Sequence, residues 1–256
     1  MKKPNVLVLR APGINCDEET VFAWRRAGAQ ADLVHVKELI ESPRSLERYQ
    51  LITIPGGFSY GDGIASGKIL GNQLNHHLGE SLRAFVDRGG LILGICNGFQ
   101  VLVRMGLLPG EDCDVKATLA LNESGRYEDR WVRLRATPNC RSAFIEPGEE
   151  LDVPVGHGEG RLVFDGGEAS ATRLRELGRI ALEYVSLSGG APGYPENPNG
   201  SIGNAAGLTD RTGRVFGLMP HPDRHLFASQ TPIQNRDFNA ETAGSKFFRR
   251  IVEQLR

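Results

Sequence analysis

Short apolar runs alternate with longer amphipathic stretches through the first hundred residues. Residues 5–9 (NVLVL), 32–36 (DLVHV), 51–54 (LITI) and 91–95 (LILGI) have the length and aliphatic content of buried strands. Between them, 17–27 (DEETVFAWRRA) reads as a helix that Gly28 ends, and 68–87 as helical pattern broken near Gly79. A further helix is expected from Asn97 to Met105, directly after the fourth strand. Strands that are apolar on both faces and separated by helices imply βαβ units, hence a parallel sheet covered on both sides. The second half has a different rhythm. Residues 115–121, 130–135, 151–155, 161–164, 180–184 and 214–219 read as strands with few helices between them. A last helix over 241–255 places Phe247, Phe248, Ile251, Val252 and Leu255 at helical spacing. The expected fold is α/β: one domain over residues 1–256, with an open, mostly parallel twisted sheet flanked by helices and added antiparallel strands in the second half. The Gly/Pro/Asn-rich loop 188–204 is long enough that function or mobility is expected of it.

Composition narrows the classes. With 30 Lys+Arg against 31 Asp+Glu among 256 residues, there is no basic footprint for nucleic acid. No apolar stretch approaches the ~20 residues of a membrane span. Met1-Lys2-Lys3-Pro4 runs into the first strand without the apolar core of a signal peptide. Cys16, Cys96, Cys113 and Cys140 are scattered, with no Cys-x-x-Cys pair, so a cytoplasmic protein with reduced thiols and no metal site is expected. Glycine is in excess, with 32 residues where an average chain of this length has about 18. Something in the chain needs backbone without Cβ atoms.

Two phosphate-binding look-alikes fail on spacing. Gly61 to Lys68 has five residues between its outer glycines, and Ile69 stands where a P-loop needs Ser or Thr. Gly156 to Gly160 is too short for a dinucleotide fingerprint. Cys96 is different. It lies between Gly94 and Gly98 at a strand-to-helix junction, the arrangement that lifts a nucleophile above a sheet on a sharp turn. The positive end of the following helix favours the anionic sulfur that a nucleophile needs. A buried structural cysteine is the alternative. A base is required as well, and His221 follows the strand 214–219, with Asp223 two residues on as its orienting carboxylate. A turn histidine with Asp223 paired to Arg224 is the competing reading. His35 reads as a packed strand residue, His76 and His77 as a surface pair, and His157 is ambiguous. The loop Pro55-Gly56-Gly57-Phe58 follows a strand, and its glycines let backbone N–H groups approach a ligand as an oxyanion hole requires, although a plain turn fits equally.

Taken together, Pro55-Gly56-Gly57, Gly94-Ile95-Cys96-Asn97-Gly98-Phe99-Gln100 and His221-Pro222-Asp223 resemble the class I (triad) glutamine amidotransferases, which have a flavodoxin-like fold. Five further segments bring the chain closer to the glutaminase subunits of phosphoribosylformylglycinamidine (FGAM) synthases: Ala11 to Asp17, Gly57 to Asp62, Asn122 to Arg126, His157 to Arg161 and Tyr194 to Ser201. The resemblance implies Cys96 as nucleophile, His221 as base and then acid, and Asp223 as the orienting group. It implies Gly57 and Asn97 N–H groups as the oxyanion hole, and Gly56 and Gln100 at the substrate. It implies hydrolysis of L-glutamine to glutamate and ammonia, with the ammonia passed to a large synthetase subunit that makes FGAM from formylglycinamide ribonucleotide in purine synthesis. A small third subunit often accompanies these. No cofactor is implied in this chain; ATP and Mg²⁺ are expected on the synthetase. The chain departs from the family in having Asp223 where Glu is usual, and Gly63 where Arg usually follows Gly-Asp. The segments at Asn122 and His157 fit docking loops, channel loops or structural turns. A thiol hydrolase or peptidase, or a non-catalytic sensor protein of the same fold, remains the alternative.

Overall fold

The computed structural model describes residues 3–232, 237 and 239–256. The expected strand–helix alternation of the first half is present: β1 Asn5–Arg10, α1 Asp17–Arg26, β2 Gln30–His35, α2 Val36–Glu41, β3 Leu51–Ile54, α3 Lys68–Asp87, β4 Leu91–Ile95 and α4 Asn97–Arg104. Then follow β5 Ala117–Ala120, β6 Glu128–Ala136, β7 Glu150–His157, β8 Arg161–Phe164, α5 Gly167–Glu176, β9 Ile180–Tyr184, β10 Ala205–Thr209, β11 Val215–Leu218 and α6 Ala243–Gln254.

Nine of these strands form one sheet in the order β2-β1-β3-β4-β11-β10-β9-β6-β7. Its first five strands are parallel and the pairings from β11 to β7 are antiparallel. The parallel run 2-1-3-4-11 has the doubly wound order, in which a ligand is expected at the carboxyl ends of the strands. β5 and β8 pair separately. β3 and β4 are buried at every position, as strands covered on both faces must be. On one side α1 meets α6, where Trp24 packs edge-on against Phe248 with centroids 4.7 Å apart. Trp24 also donates its indole N–H to Thr53 Oγ1 of β3 at 2.9 Å.

Three expectations need correction. The helix 68–87 is continuous, with Gly79 buried inside α3. His35 is not a packed core residue; it caps α2, its ring accepting from Lys37 N at 3.2 Å. β10 and the helices α2 and α5 lie where no such element was expected. Among the described residues no helix is long and apolar enough to cross a membrane.

β7 is the last strand of the sheet, and its outer edge is not left bare. The carbonyls of alternate residues point outward: Pro154 O accepts from His221 N at 2.8 Å, and Asp152 O faces His225 Nδ1 at 2.7 Å. The segment that follows β11 therefore closes over the free edge and satisfies part of it.

Candidate active site

The site gathers at the carboxyl ends of β1, β3, β4 and β11. Cys96 sits between β4 and α4 with φ 50° and ψ −105°, a left-handed conformation that a residue with a Cβ adopts only under constraint. The constraint is visible in the hydrogen bonds on either side, Cys96 N to Leu218 O at 2.8 Å and Gln100 N to Cys96 O at 3.1 Å. The flanking glycines are required sterically. A Cβ on Gly98 would stand 1.8 Å from Ile54 O, and one on Gly94 would stand 2.6 Å from Gly98 O.

His221 follows β11, the parallel neighbour of β4, with its backbone fixed on β7 and its imidazole buried. Nδ1 lies 3.3 Å from Asp223 Oδ1, and the Cys96 sulfur also contacts the ring. Asp223 is completely buried at its side chain, so its carboxylate acts at short range. Burial opposes a charge on His221, but Asp223 and Cys96 outweigh it and raise the pKa of the imidazole. The ring is thereby a stronger proton acceptor than a free histidine. The shorter Asp reaches the imidazole directly, and Arg224 turns instead to Glu19 and to the Cys16 sulfur.

The Pro-Gly-Gly loop after β3 is zipped to the loop after β1 through Cys16 N to Gly56 O at 3.2 Å and Phe58 N to Gly13 O at 2.8 Å. Gly56 must lack a side chain, since a Cβ there would be 2.7 Å from His221 Cε1 and 3.5 Å from Cys96 Cβ. Gly57 has φ 136°, and its Cβ would fall 2.6 Å from Asn15 N. Asn97 opens α4, so its N–H has no carbonyl one turn back to engage it. Gly57 lines one cavity of about 440 Å³ together with Cys96, Gln100, His157, Glu159 and His221, whereas Asn97 is buried and is not among its lining residues.

Gln100 is held at both ends: Nε2 donates to Glu159 O at 2.6 Å and Oε1 accepts from Asn97 Nδ2 at 2.9 Å. Among the described residues its other amide hydrogen meets no second acceptor. Glu159 in turn accepts from Ser66 N at 3.2 Å and faces Asp62, whose pKa is raised by burial and, to a lesser degree, by that neighbouring carboxylate.

Three segments that carried the family likeness prove to be one interlocked wall. Asn122 N donates to Gly158 O at 2.9 Å, and Asn122 Oδ1 accepts from Gly160 N at 2.9 Å. Asn199 Nδ2 donates to Gly160 O at 2.8 Å, and Glu123 N to Asn199 O at 3.1 Å. The turn 157–160 is thus clamped from two sides and presented to Gln100. Cys16 also lines the cavity, where burial, reinforced by Asp223, pushes its thiol up to about 12 and keeps it protonated. Its place in the site is signalled only by the Asn15-Cys16-Asp17 segment belonging to the family likeness.

Comparison with known proteins places this geometry. Residues 3–254 match the family model of the CobB/CobQ-like glutamine amidotransferase domain. The phosphoribosylformylglycinamidine synthase subunit PurQ of Dehalococcoides mccartyi is 41% identical over 260 residues, covering 100% of this chain and 99% of the relative. The PurQ subunit of Archaeoglobus fulgidus is 40% identical, over 98% and 96%. A chain in the structure of PurLQS from Thermotoga maritima superposes with a TM-score of 0.73 at 31% identity, over the full length of both. A chain whose whole length aligns at this identity belongs to the CobB/CobQ-like glutamine amidotransferases and, within them, to the PurQ family.

Proposed function

We propose that the cavity hydrolyses L-glutamine by covalent catalysis. The observation that carries this is the buried line Cys96–His221–Asp223, with the cysteine on a strained turn in the wall of a cavity. His221 takes the proton of Cys96, and the sulfur adds to the γ-carbonyl carbon of glutamine. The resulting oxyanion is met by the N–H groups of Gly57 and Asn97. His221 returns the proton to the nitrogen, the C–N bond breaks, and ammonia leaves a γ-glutamyl thioester on Cys96. Water then gives a proton to His221 and adds to the same carbon; the C–S bond breaks, and the sulfur regains the proton as glutamate departs. Asp223 orients the imidazole and stabilises its charged form. Gly56 leaves room for the substrate, and Gln100 contacts it through its remaining amide hydrogen.

The ammonia feeds a synthetase subunit that converts formylglycinamide ribonucleotide to FGAM with ATP and Mg²⁺ bound on that subunit, in the cytoplasm, with a small third subunit completing the complex. The PurQ relatives and the PurLQS assembly support this partner. So does the cavity mouth, where Phe58, Leu121 and Tyr127 are about half or more exposed and offer apolar surface for a partner to cover. The test is Cys96→Ala in the complex with the synthetase. Glutamine-dependent product formation is lost while ammonium-dependent formation persists; retained turnover with glutamine would refute the mechanism.

A further inference from the structure

Five residues at the cavity close a ring of hydrogen bonds. Asp62 Oδ1 accepts from Asn97 Nδ2 at 3.3 Å, and the same nitrogen donates to Gln100 Oε1 at 2.9 Å. Gln100 Nε2 donates to Glu159 O at 2.6 Å, and Glu159 Oε2 accepts from Ser66 N at 3.2 Å. Ser66 Oγ completes the ring by donating to Asp62 Oδ2 at 3.0 Å. Asp62, Ser66, Gln100 and Glu159 line the cavity, while Asn97 is fully buried.

The ring has a direction. An amide side chain fits its space almost as well reversed end for end, so the donors and acceptors around it decide its orientation. Ser59 N donates to Asn97 Oδ1 at 3.3 Å, and Asp62, as a carboxylate, can only accept. Both neighbours therefore place the nitrogen of Asn97 toward Asp62, and its second hydrogen goes to Gln100. Gln100 is fixed in turn. Reversed, it would set its nitrogen against Asn97 Nδ2 and its oxygen against Glu159 O, donor facing donor and acceptor facing acceptor.

The loop that carries Asp62 is held under constraint. Tyr60 and Asp62 have φ 56° and 51°, with Gly61 at 69° between them. Left-handed backbone is costly for residues with a Cβ and persists where the surroundings over-determine it. The bonds that hold it converge on one carboxylate, which takes Gly67 N at 3.4 Å besides Ser66 Oγ and Asn97 Nδ2. The end of the loop is pressed on α4, where a Cβ on Gly67 would stand 2.8 Å from Val101 N. A strained loop thus delivers an obligate acceptor to the residue that follows the nucleophile. We propose that Asp62 is a positioning residue for substrate binding: through Asn97 it fixes the amide of Gln100, so that Gln100 meets glutamine as a hydrogen-bond donor.

This rests on the glutaminase reading above, in which Gln100 contacts the substrate, and assigns what orients that contact. The test is a double-substitution cycle. The unsubstituted protein, Asp62→Ala, Asp62→Asn, Gln100→Ala and Asp62→Ala/Gln100→Ala are assayed for glutamate formation from L-glutamine with the synthetase subunit present. Alkylation of Cys96 by iodoacetamide, followed by peptide mass, reports on the nucleophile in each. Asp62→Ala raises KM about tenfold and leaves kcat within about threefold. Asparagine keeps an acceptor oxygen and tolerates left-handed φ, so Asp62→Asn stays within about threefold of the original KM. Gln100→Ala raises KM at least as much as Asp62→Ala. Adding Asp62→Ala to it raises KM by less than about twofold more, because the two residues act as one unit. Cys96 is alkylated at a similar rate throughout. KM effects that multiply in the double variant, a loss confined to kcat, an unchanged KM in Asp62→Ala, or loss of Cys96 alkylation there overturns the proposal. Failure of the unsubstituted protein to form glutamate from glutamine overturns the glutaminase reading instead.

Discussion

Replacing Asp223 by Asn removes one charge from the centre of the site while keeping the shape of the side chain. The carboxylate lies 3.3 Å from His221 Nδ1, and both groups are buried. At a centre-to-centre separation of about 4 Å and an effective dielectric constant of about 20, the attraction between a carboxylate and an imidazolium is about 4 kcal/mol. Asp223 raises the pKa of His221 and sustains the charged imidazole from which the leaving nitrogen takes its proton, so its loss depletes the form that reacts. At 1.36 kcal/mol per decade, Asp223→Asn lowers kcat for glutamine about a thousandfold. Substrate binding changes little, because Asp223 points at the imidazole. Asp223→Glu keeps the charge at the cost of one extra methylene in a filled space, and stays within about tenfold of the unsubstituted rate. Glutamate formation in the complex with the synthetase, followed over a range of glutamine concentrations, separates kcat from KM. Asp223→Asn within about threefold of the original kcat would refute the assignment of Asp223 as the orienting carboxylate.

Three other substitutions probe the surroundings. Gly98→Ala puts a Cβ 1.8 Å from Ile54 O, so the turn and β3 must separate; urea unfolding shows a loss of about 1–3 kcal/mol, and glutaminase activity falls with it. Asn122→Ala frees the 157–160 turn by removing bonds to His157 O and Gly160 N; the KM for glutamine rises about tenfold with a smaller change in kcat, read from steady-state kinetics. His157 is buried as the neutral base with its pKa lowered from 6.5 to about 4, so the unfolded chain binds the extra proton and stability falls as pH drops through that window. Between pH 7 and pH 5 this histidine alone costs about 2 kcal/mol, and His157→Asn flattens that part of the urea-midpoint profile.

The arrangement of the site was legible where it is local. Cys96 with its two glycines, and His221 with Asp223, each fit within five residues, and short-range sterics dictate both spacings. Strands 161–164 and 180–184 stand where their apolar pattern places them. β10 escaped because Ala205-Ala206-Gly207-Leu208-Thr209 has little intrinsic strand preference; it is a strand because β9 and β11 bond to both of its edges. α5 escaped because only Ala171 and Leu174 of its ten residues are buried, too few to show a helical stripe. Gly79 reads as a breaker in isolation, but a buried position in a long packed helix tolerates it. The wall formed by Asn122, His157, Gly160 and Asn199 joins residues up to 77 positions apart by side-chain-to-backbone bonds, which no periodicity records.

The outer edge of β7 acts as a ruler for the site. Its carbonyls at Asp152, Pro154 and Gly156 meet the His225 ring, the His221 backbone and the Cys96 sulfur in turn, one every second residue. Alternate carbonyls along a strand are about 6.6–6.8 Å apart, so the spacing between the His221 backbone and the Cys96 sulfur is metered by the pleat. A one-residue insertion within β7 would turn the other set of carbonyls outward beyond it and leave every catalytic side chain intact but out of step. Fidelity of the chemistry is in this way tied to the pairing register of β6 with β7, two strands that contribute none of the three residues in the buried line.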